Sequence, residues 1–242
     1  MAYRRTPAVQ ARLDAQAGSI VRAAMTVLSR DGYAGLSVAA VAAEAGVATG
    51  TVYKSFRGKA ELVTAVFREV VTREVAAVAV AGGGTVPDES QAVPGESQDG
   101  TRTLGGPASD ESWVSVPAAE RGVVERVTAA VETFAGRALK NPKLAYVLLA
   151  EPVDAAVDTE RLRFRRAFAE IYEHAIAEGV AKGQLPPQNP RTSATALVGA
   201  IGEVLVGPLA EQLQSESVVP ELVAFALRAL GVPGDAAGSP RK

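Results

Sequence analysis

The sequence predicts an all-α protein in which a three-helix N-terminal domain is joined by a long helix to a larger helical domain. Apolar residues make up 48% of the 242 residues but aromatic residues only 5%, and Ala and Leu, both strong helix formers, are abundant. Apolar residues recur at intervals of three and four, which is the period of a helix with one buried face. No segment alternates apolar and polar residues in the way that a half-buried strand does.

The composition excludes several kinds of site. There are no cysteines and a single histidine, His174, so thiolate chemistry is excluded and His174 has no companion metal ligands. With no phosphate-binding loop either, we expect no catalytic residues, no metal, no cofactor and no enzyme activity. The N-terminus lacks a signal pattern, and Glu203 and Pro208 interrupt the most apolar stretch, 194–210. We therefore expect a soluble, cytoplasmic protein with no membrane segment.

The N-terminal third of the chain is basic, with ten Lys and Arg against six Asp and Glu in residues 1–81. Residues 1–16 include two adjacent arginines before any periodic pattern, and we interpret them as a flexible basic arm. An apolar stripe that begins at Ile20 then predicts a first helix. Gly32 is suited to end that helix, because glycine readily adopts positive φ.

Residues 37–54 have the spacing of two short helices joined by a tight turn. Ser37 is a good N-cap for a helix over about 38–45, Gly46 supplies the positive φ that the turn requires, and a helix over 48–54 follows. Small and apolar residues occupy the positions where the helices would touch, namely Val38, Val41, Ala42, Val47 and Val52. A purely structural helical hairpin fits part of this pattern, but the whole pattern predicts a DNA-binding helix-turn-helix.

The second of these short helices would enter the major groove of double-stranded DNA. Its outward residues are short, polar or basic: Thr49, Gly50, Thr51, Tyr53 and Lys54. Threonine methyl and hydroxyl groups can contact base edges, and Lys54 and Lys59 can neutralise phosphates. We therefore expect this face to bind DNA.

Residues 17–66 resemble the DNA-binding domain of the TetR (tetracycline repressor) family. The segment VAAEAGVATGTVYKSFRGKAELV carries the resemblance through its AGV, GTVY and KAEL motifs and the phenylalanine between the last two. The resemblance implies that Ser37, Tyr53 and Lys59 contact the DNA backbone. It implies that Phe56 fills the core beneath the recognition helix.

The resemblance also implies an all-helical homodimer that binds a near-palindromic operator, as a rule as a repressor. Family members release the operator when a small molecule enters the C-terminal domain. One departure concerns the turn, since many members carry Ser or Thr and then Lys directly after AGV, where this chain has Ala48 and Thr49. One phosphate contact and one charge are therefore missing, so that Thr49 would serve as a polar reader and the basic arm would compensate.

The rest of the chain divides by composition. We predict a connecting helix over 59–81 after the helix-turn-helix domain of residues 17–58. Residues 82–116, with one basic and six acidic residues and much Gly and Pro, predict a disordered acidic insertion. A ligand-binding and dimerisation domain over 117–231 and a flexible tail over 232–242 follow. Prolines mark the boundaries of its predicted helices, which lie near 118–140, 142–150, 155–182, 190–212 and 217–230.

We expect the C-terminal domain to bind a small apolar or acyl-type effector. An aromatic stripe on the helix over 155–182 suits both a core and a pocket. Arg165 beside the stripe is suited to hold an acidic ligand group, while the alternative is a solvated, ion-paired surface. Glu151 is equally suited to a buried polar contact or a helix-start charge. The predicted ligand-binding residues are Phe134, Tyr146, Leu149, Glu151, Arg165, Phe168 and Tyr172.

The last two helices are expected to form a homodimer interface, as a four-helix bundle with two helices from each chain. The predicted interface residues are Leu197, Gly199, Ile201, Gly202, Leu205, Leu222 and Phe225. A two-fold dimer would place two recognition helices one DNA turn apart, about 34–36 Å. The alternative is a helix-turn-helix regulator that is controlled by a protein partner and has no small-molecule pocket.

Overall fold

The computed structural model describes residues 6–83, 121–212 and 217–233, and every regular element in these ranges is an α-helix. The helices are α1 (Pro7–Gly35), α2 (Val38–Glu44), α3 (Thr49–Ser55), α4 (Lys59–Ala81), α5 (Val123–Lys140), α6 (Pro142–Leu149), α7 (Ala155–Ala181), α8 (Pro190–Glu211) and α9 (Val218–Ala229). The all-α prediction is therefore confirmed. Most of the expected insertion over 82–116 and of the expected tail over 232–242 lies outside the described residues.

The first helix is longer than the apolar pattern indicated. It begins at Pro7, in the first turn, where a missing N–H leaves no hydrogen bond unmade. Gln10 donates to Asp14 one turn later, at 2.9 Å, and residues 6–16 are exposed. The expected flexible arm over residues 1–16 is thus helical from Pro7 onward, and residues 1–5 lie outside the described part. Periodicity missed this segment because it detects a buried face, which this segment lacks.

Two glycines end or separate helices as their positions predicted. Gly32 has φ 71° and interrupts α1, and Gly46 has φ 65° in the turn between α2 and α3. Both values lie in the left-handed region, which side chains other than glycine enter at a cost. These two residues set the direction in which α2 and α3 leave α1.

One hydrophobic core joins the N-terminal helices to the domain that follows. Each of the first four helices contributes a fully buried side chain to this core, namely Ile20 of α1, Val41 of α2, Val52 of α3 and Leu62 of α4. The same core includes residues of α6 and α7, namely Leu144, Val147, Leu148 and Val157. Helices α1 to α4 are therefore packed directly against α6 and the start of α7, without a flexible linker.

A second core lies between α5, α7, α8 and α9, with the last turns of α4 at its edge. Its centre contains three phenylalanine rings in mutual contact, and Phe168 lies 4.5 Å from Phe164 and 4.8 Å from Phe134 between ring centroids. The helix α8 is long and apolar enough to meet the length and composition of a membrane span, and 28% of its most apolar window is buried. Its inner face belongs to this core.

A buried ion pair ties α5 to α7. Arg126 is 4% exposed and donates from Nη1 to Glu178 Oε2 at 2.6 Å. Lys182 donates to the other oxygen of Glu178 at 2.5 Å. The hydrogen bonds from Lys182 and Arg126 lower the pKa of the Glu178 carboxyl to about 2. The pair is thus intact across the neutral range.

We expect Glu178→Gln to lower the free energy of unfolding at neutral pH, because it leaves the buried Arg126 without its charged partner. The wild-type protein should lose the same contribution as pH falls from the ordinary value of 4.5 through about 2, since the unfolded chain then binds more protons than the folded one. The stability difference between the two proteins should therefore shrink over this range in urea titrations. An equal difference at both ends of the range would contradict this assignment.

Candidate DNA-binding and ligand sites

The helix-turn-helix is built from the positions that the sequence indicated. Ser37 Oγ accepts a hydrogen bond from Ala40 N–H at 3.1 Å and caps α2. Ala42 is 2% exposed where α2 meets α3, and Val52 anchors α3 in the core. Phe56 is buried beneath α3, as the resemblance implied. The local geometry of α2, the turn and α3 is thus set by short-range packing.

The outer face of α3 is available to a partner. Thr49, Gly50 and Lys54 are exposed and Thr51 is half-buried, while the Tyr53 side chain is 54% exposed. Ala48, the N-cap residue, provides no side-chain hydrogen bond. The first N–H groups of α3 therefore lack the cap that a Ser or Thr would supply, and they can bind an anion.

Lys59 lies at the start of α4, and its ammonium group binds Tyr33 within the protein. Its ammonium donates to the Tyr33 carbonyl at 2.6 Å and lies 4.0 Å from the centroid of the Tyr33 ring. The side chain is half-buried. Lys59 therefore fixes the end of α1 to the start of α4. A phosphate bound by Lys59 would contact an ammonium group that also contacts Tyr33.

A carboxylate from the C-terminal domain binds the end of α1. Glu151 accepts hydrogen bonds from the N–H groups of Tyr33 at 3.1 Å and Ala34 at 3.3 Å. These N–H groups are exposed by the break in α1 at Gly32, and a Cβ on that glycine would approach Glu151 to 3.4 Å. Of the two alternatives for Glu151, the polar contact is the one observed, and it is made with the DNA-binding domain.

The Tyr33 side chain adds a second link at the same junction. Its hydroxyl donates to Asp154 at 2.5 Å. Burial and this hydrogen bond raise the pKa of Tyr33 to about 12, so the hydroxyl keeps its proton at neutral pH. Tyr33 thus contacts both the segment after α6 and, through its carbonyl and ring, Lys59 of α4.

Arg161 holds the segment that carries Glu151. This residue of α7 is 9% exposed, and its guanidinium donates to the carbonyl oxygens of Val147, Leu148 and Glu151 at 3.0, 2.9 and 2.7 Å. These are the carbonyls at the end of α6, which have no partner inside the helix. Arg161 therefore couples the position of Glu151 to α7.

Two cavities lie between the C-terminal helices. The first has about 130 Å³ of free space and lies between α1, α4, α5, α6 and α7, with Met25, Glu74 and Arg137 among its lining. The second is narrower, with about 20 Å³ of free space, and is lined mainly by aromatic and apolar residues of α5, α7 and α8. Phe134, Leu149 and Phe164 line both cavities. These three side chains therefore form the wall between the two cavities.

Five of the predicted ligand-binding residues line the second cavity: Phe134, Leu149, Arg165, Phe168 and Tyr172. Tyr146 packs at the edge of the core, and Glu151 binds α1 instead, so neither lies among the lining residues. The sequence interpretation missed the first cavity with Met25 and Arg137. Their place depends on the packing of α1 and α4 against α5, for which no local pattern exists.

The predicted dimer residues divide between two faces. Leu197, Ile201, Leu205 and Leu222 are at most 2% exposed within the protomer, so their assignment to the interface is wrong, because they belong to the protomer's own core. Gly199, Gly202 and Phe225 are at least partly exposed. The outer face of α8 and α9 also presents Val204, which is 50% exposed.

Comparisons with known proteins agree with this geometry. Residues 20–66 match the family model described as bacterial regulatory proteins, tetR family. No curated protein sequence matches the chain significantly.

Solved structures resemble the chain over nearly its whole length. The fatty acid degradation regulator FadR from Bacillus halodurans is 18% identical, with a TM-score of 0.64 over 93% of this chain and 97% of that one. The transcriptional regulator FadR from Bacillus subtilis, in complex with stearoyl-CoA, is 17% identical, with a TM-score of 0.62 over 90% and 98%. RolR in complex with resorcinol is 13% identical, with a TM-score of 0.60 over 94% and 93%.

A short exposed helix in a helix-turn-helix arrangement is typical of DNA-binding proteins. The family match covers the DNA-binding domain and the structural likeness covers the whole fold. Residues 20–66 therefore form a DNA-binding domain of the tetR family, and the chain as a whole has the fold of the regulators that it resembles.

We expect Glu151→Ala to lower the free energy of unfolding by about 1.5–3 kcal/mol, because it removes a charged acceptor from two N–H groups. Exposed Glu69 of α4, for which no hydrogen bond is described, provides the control Glu69→Ala. Chemical denaturation measures both variants, and hydrogen exchange of the Tyr33 and Ala34 amides should accelerate only in Glu151→Ala. Equal stability of the two variants would show that the carboxylate does not join the domains.

Proposed function

We propose that this regulator is a homodimeric repressor that a small molecule releases from a near-palindromic operator. The observation that carries the proposal is that the cavity lining and the residue that binds α1 lie only two positions apart along the chain. Leu149 lines both cavities, and Glu151, two residues later, binds the end of α1. A ligand that displaces Leu149 would therefore move the carboxylate that positions α1.

DNA binding is assigned to the outer face of α3. Its exposed Thr49, Gly50 and Tyr53 are short or polar enough to approach base edges and phosphates. The uncapped N-terminus of α3 adds backbone N–H groups that suit a phosphate oxygen. Ser37 and Lys59 would contact the backbone from either side, although both have partners inside the protein.

A small-molecule effector is favoured over control by a protein partner. A partner-controlled regulator would fill its C-terminal domain with its own side chains, whereas two cavities adjoin α6 in this domain. Both cavities are lined mainly by apolar and aromatic side chains with a few polar groups, as small-molecule sites are. Neighbouring folds include one in complex with stearoyl-CoA and one in complex with resorcinol, which supports an effector without identifying it.

We expect the double variant Thr49→Ala/Tyr53→Ala to lose at least tenfold in affinity for the DNA upstream of the protein's own coding sequence. Loss of the Thr49 base contact costs about 1–3 kcal/mol on the operator. Affinity for unrelated DNA of equal length, which loses only the Tyr53 contact to the DNA backbone, should change less. Gel shifts at one fixed salt concentration measure both. Thr72→Ala, an exposed threonine more than three turns along α4, is the matched control. Unchanged specific binding by the double variant would refute the recognition-helix assignment.

We expect Val204→Glu/Phe225→Glu to weaken self-association at least tenfold, because both large apolar side chains are exposed in the protomer on the proposed dimer face and burying a carboxylate there is costly. Leu162→Glu is the control, since Leu162 is 58% exposed on α7. Sedimentation equilibrium gives the dimer dissociation constants. A double variant that dimerises as strongly as the control would place the interface elsewhere.

A further inference from the structure

A buried hydroxyl in the second cavity lacks a hydrogen-bond partner. Tyr172 is 2% exposed, and its Oη is bonded to no group that the structure describes. Buried polar groups are almost always paired, and an unpaired hydroxyl is costly. Because Tyr172 lines the second cavity, a ligand oxygen that enters there can complete its hydrogen bonding.

The walls around Tyr172 suit a flat ring. Phe134 and Phe164 both contact Phe168 edge to face, with interplanar angles of 61° and 85°. Such an arrangement presents both ring edges and ring faces, which attract a further aromatic ring with complementary geometry. The free space beside Tyr172 is only about 20 Å³, so a ligand ring has to displace the walls shared with the first cavity, Phe134, Leu149 and Phe164. This requirement favours a compact ligand.

Arg165 is the cationic residue in the lining of the second cavity, and it lies where this cavity meets the surface. Arg165 lines both the cavity and an exposed groove between α7 and α8, and it has no ion pair among the described residues. The groove also carries Arg166 and Arg191 but has Glu170 and Glu173 beside them. Mixed charge of this kind suits one carboxylate at Arg165 better than a polyphosphate group.

Arg165 and Tyr172 lie seven residues apart on α7, which is two turns and about 10.5 Å along the helix axis. The spacing brings both to the same face of the helix. A ligand that reaches both must therefore carry its two polar groups at opposite ends.

We infer that the effector is a compact aromatic acid with a hydroxyl or carbonyl oxygen opposite its carboxylate, whose oxygen bonds Tyr172 and whose carboxylate bonds Arg165. The inference deepens the proposed function and depends on the effector site assigned there. A site that pairs a buried hydroxyl with a ligand oxygen discriminates strongly against the analogue that lacks the oxygen.

The experiment compares matched probes by calorimetry on the full chain: 4-hydroxycinnamate against cinnamate and 4-hydroxybenzoate against benzoate. We expect the hydroxylated member of at least one pair to bind at least tenfold more tightly. In Tyr172→Phe, which keeps the ring and the packing, that ratio should fall to about one. Tyr146→Phe is the matched control, since Tyr146 lines neither cavity, and it should keep the wild-type ratio.

Arg165→Gln should weaken both acids of a pair equally and leave their ratio unchanged, because the carboxylate is common to both. Wild-type ratios below threefold in both pairs, or a ratio that survives in Tyr172→Phe, would overturn the inference. If none of these acids bound, the inference would also be overturned.

Gel shifts separate this result from the proposed function. Release of operator DNA by stearoyl-CoA or octanoate, without release by the hydroxylated acids, overturns the inference and leaves the ligand-released repressor intact. Failure to bind operator DNA overturns the proposed function, whereas the calorimetric ratios still decide the ligand class.

Discussion

The contact between Glu151 and the end of α1 determines how the two parts of this protein are related. Two hydrogen bonds from Tyr33 and Ala34 to one carboxylate are effective only over a few tenths of an ångström. Because Arg161 fixes the backbone of Glu151 from α7, the carboxylate cannot follow α1 freely. The orientation of α1, and with it that of α2 and α3, thus depends on the position of α6.

The same junction explains why Gly32 is useful at its position. The break in α1 turns the Tyr33 and Ala34 N–H groups away from the helix ladder, which leaves them without intrahelical acceptors. A carboxylate from another domain satisfies them. A continuous helix would offer no such donors, and the remaining links would be apolar packing, the bonds from Asn141 and Lys143 to α1, the Tyr33–Asp154 hydrogen bond and ion pairs from α4 to α5 and α7.

The second core is incompletely packed and contains an unpaired hydroxyl, which lowers its stability and leaves space that a ligand can occupy. A domain that packed completely would pair the Tyr172 hydroxyl and fill the spaces beside Leu149. Instead, the three phenylalanine rings line a cavity that has the unpaired Tyr172 hydroxyl in its wall and Arg165 at its mouth. This unfilled space lies beside Leu149, two residues before Glu151.

The helices and the helix-turn-helix motif could be predicted from the sequence because they depend on interactions between residues that are close in the chain. The cap by Ser37, the positive φ at Gly46 and the apolar positions of α2 and α3 depend on neighbours within one or two turns, so spacing alone revealed them. The same rule failed at residues 7–16, where an exposed helix has no apolar stripe. It placed Leu197, Ile201 and Leu205 on the wrong side of α8, because a mostly apolar helix has no unique buried face.

The sequence by itself determined the all-helical fold class, the resemblance of residues 17–66 to the tetR family and the helix-turn-helix spacing. Only the tertiary structure decided that Glu151 binds Tyr33, 118 residues away, that Tyr172 stays unpaired, and which side of α8 remains open to a second chain. The physical reason is that helix periods and caps are encoded over a few residues. The pairing of a buried carboxylate or hydroxyl depends instead on which distant helices pack beside it.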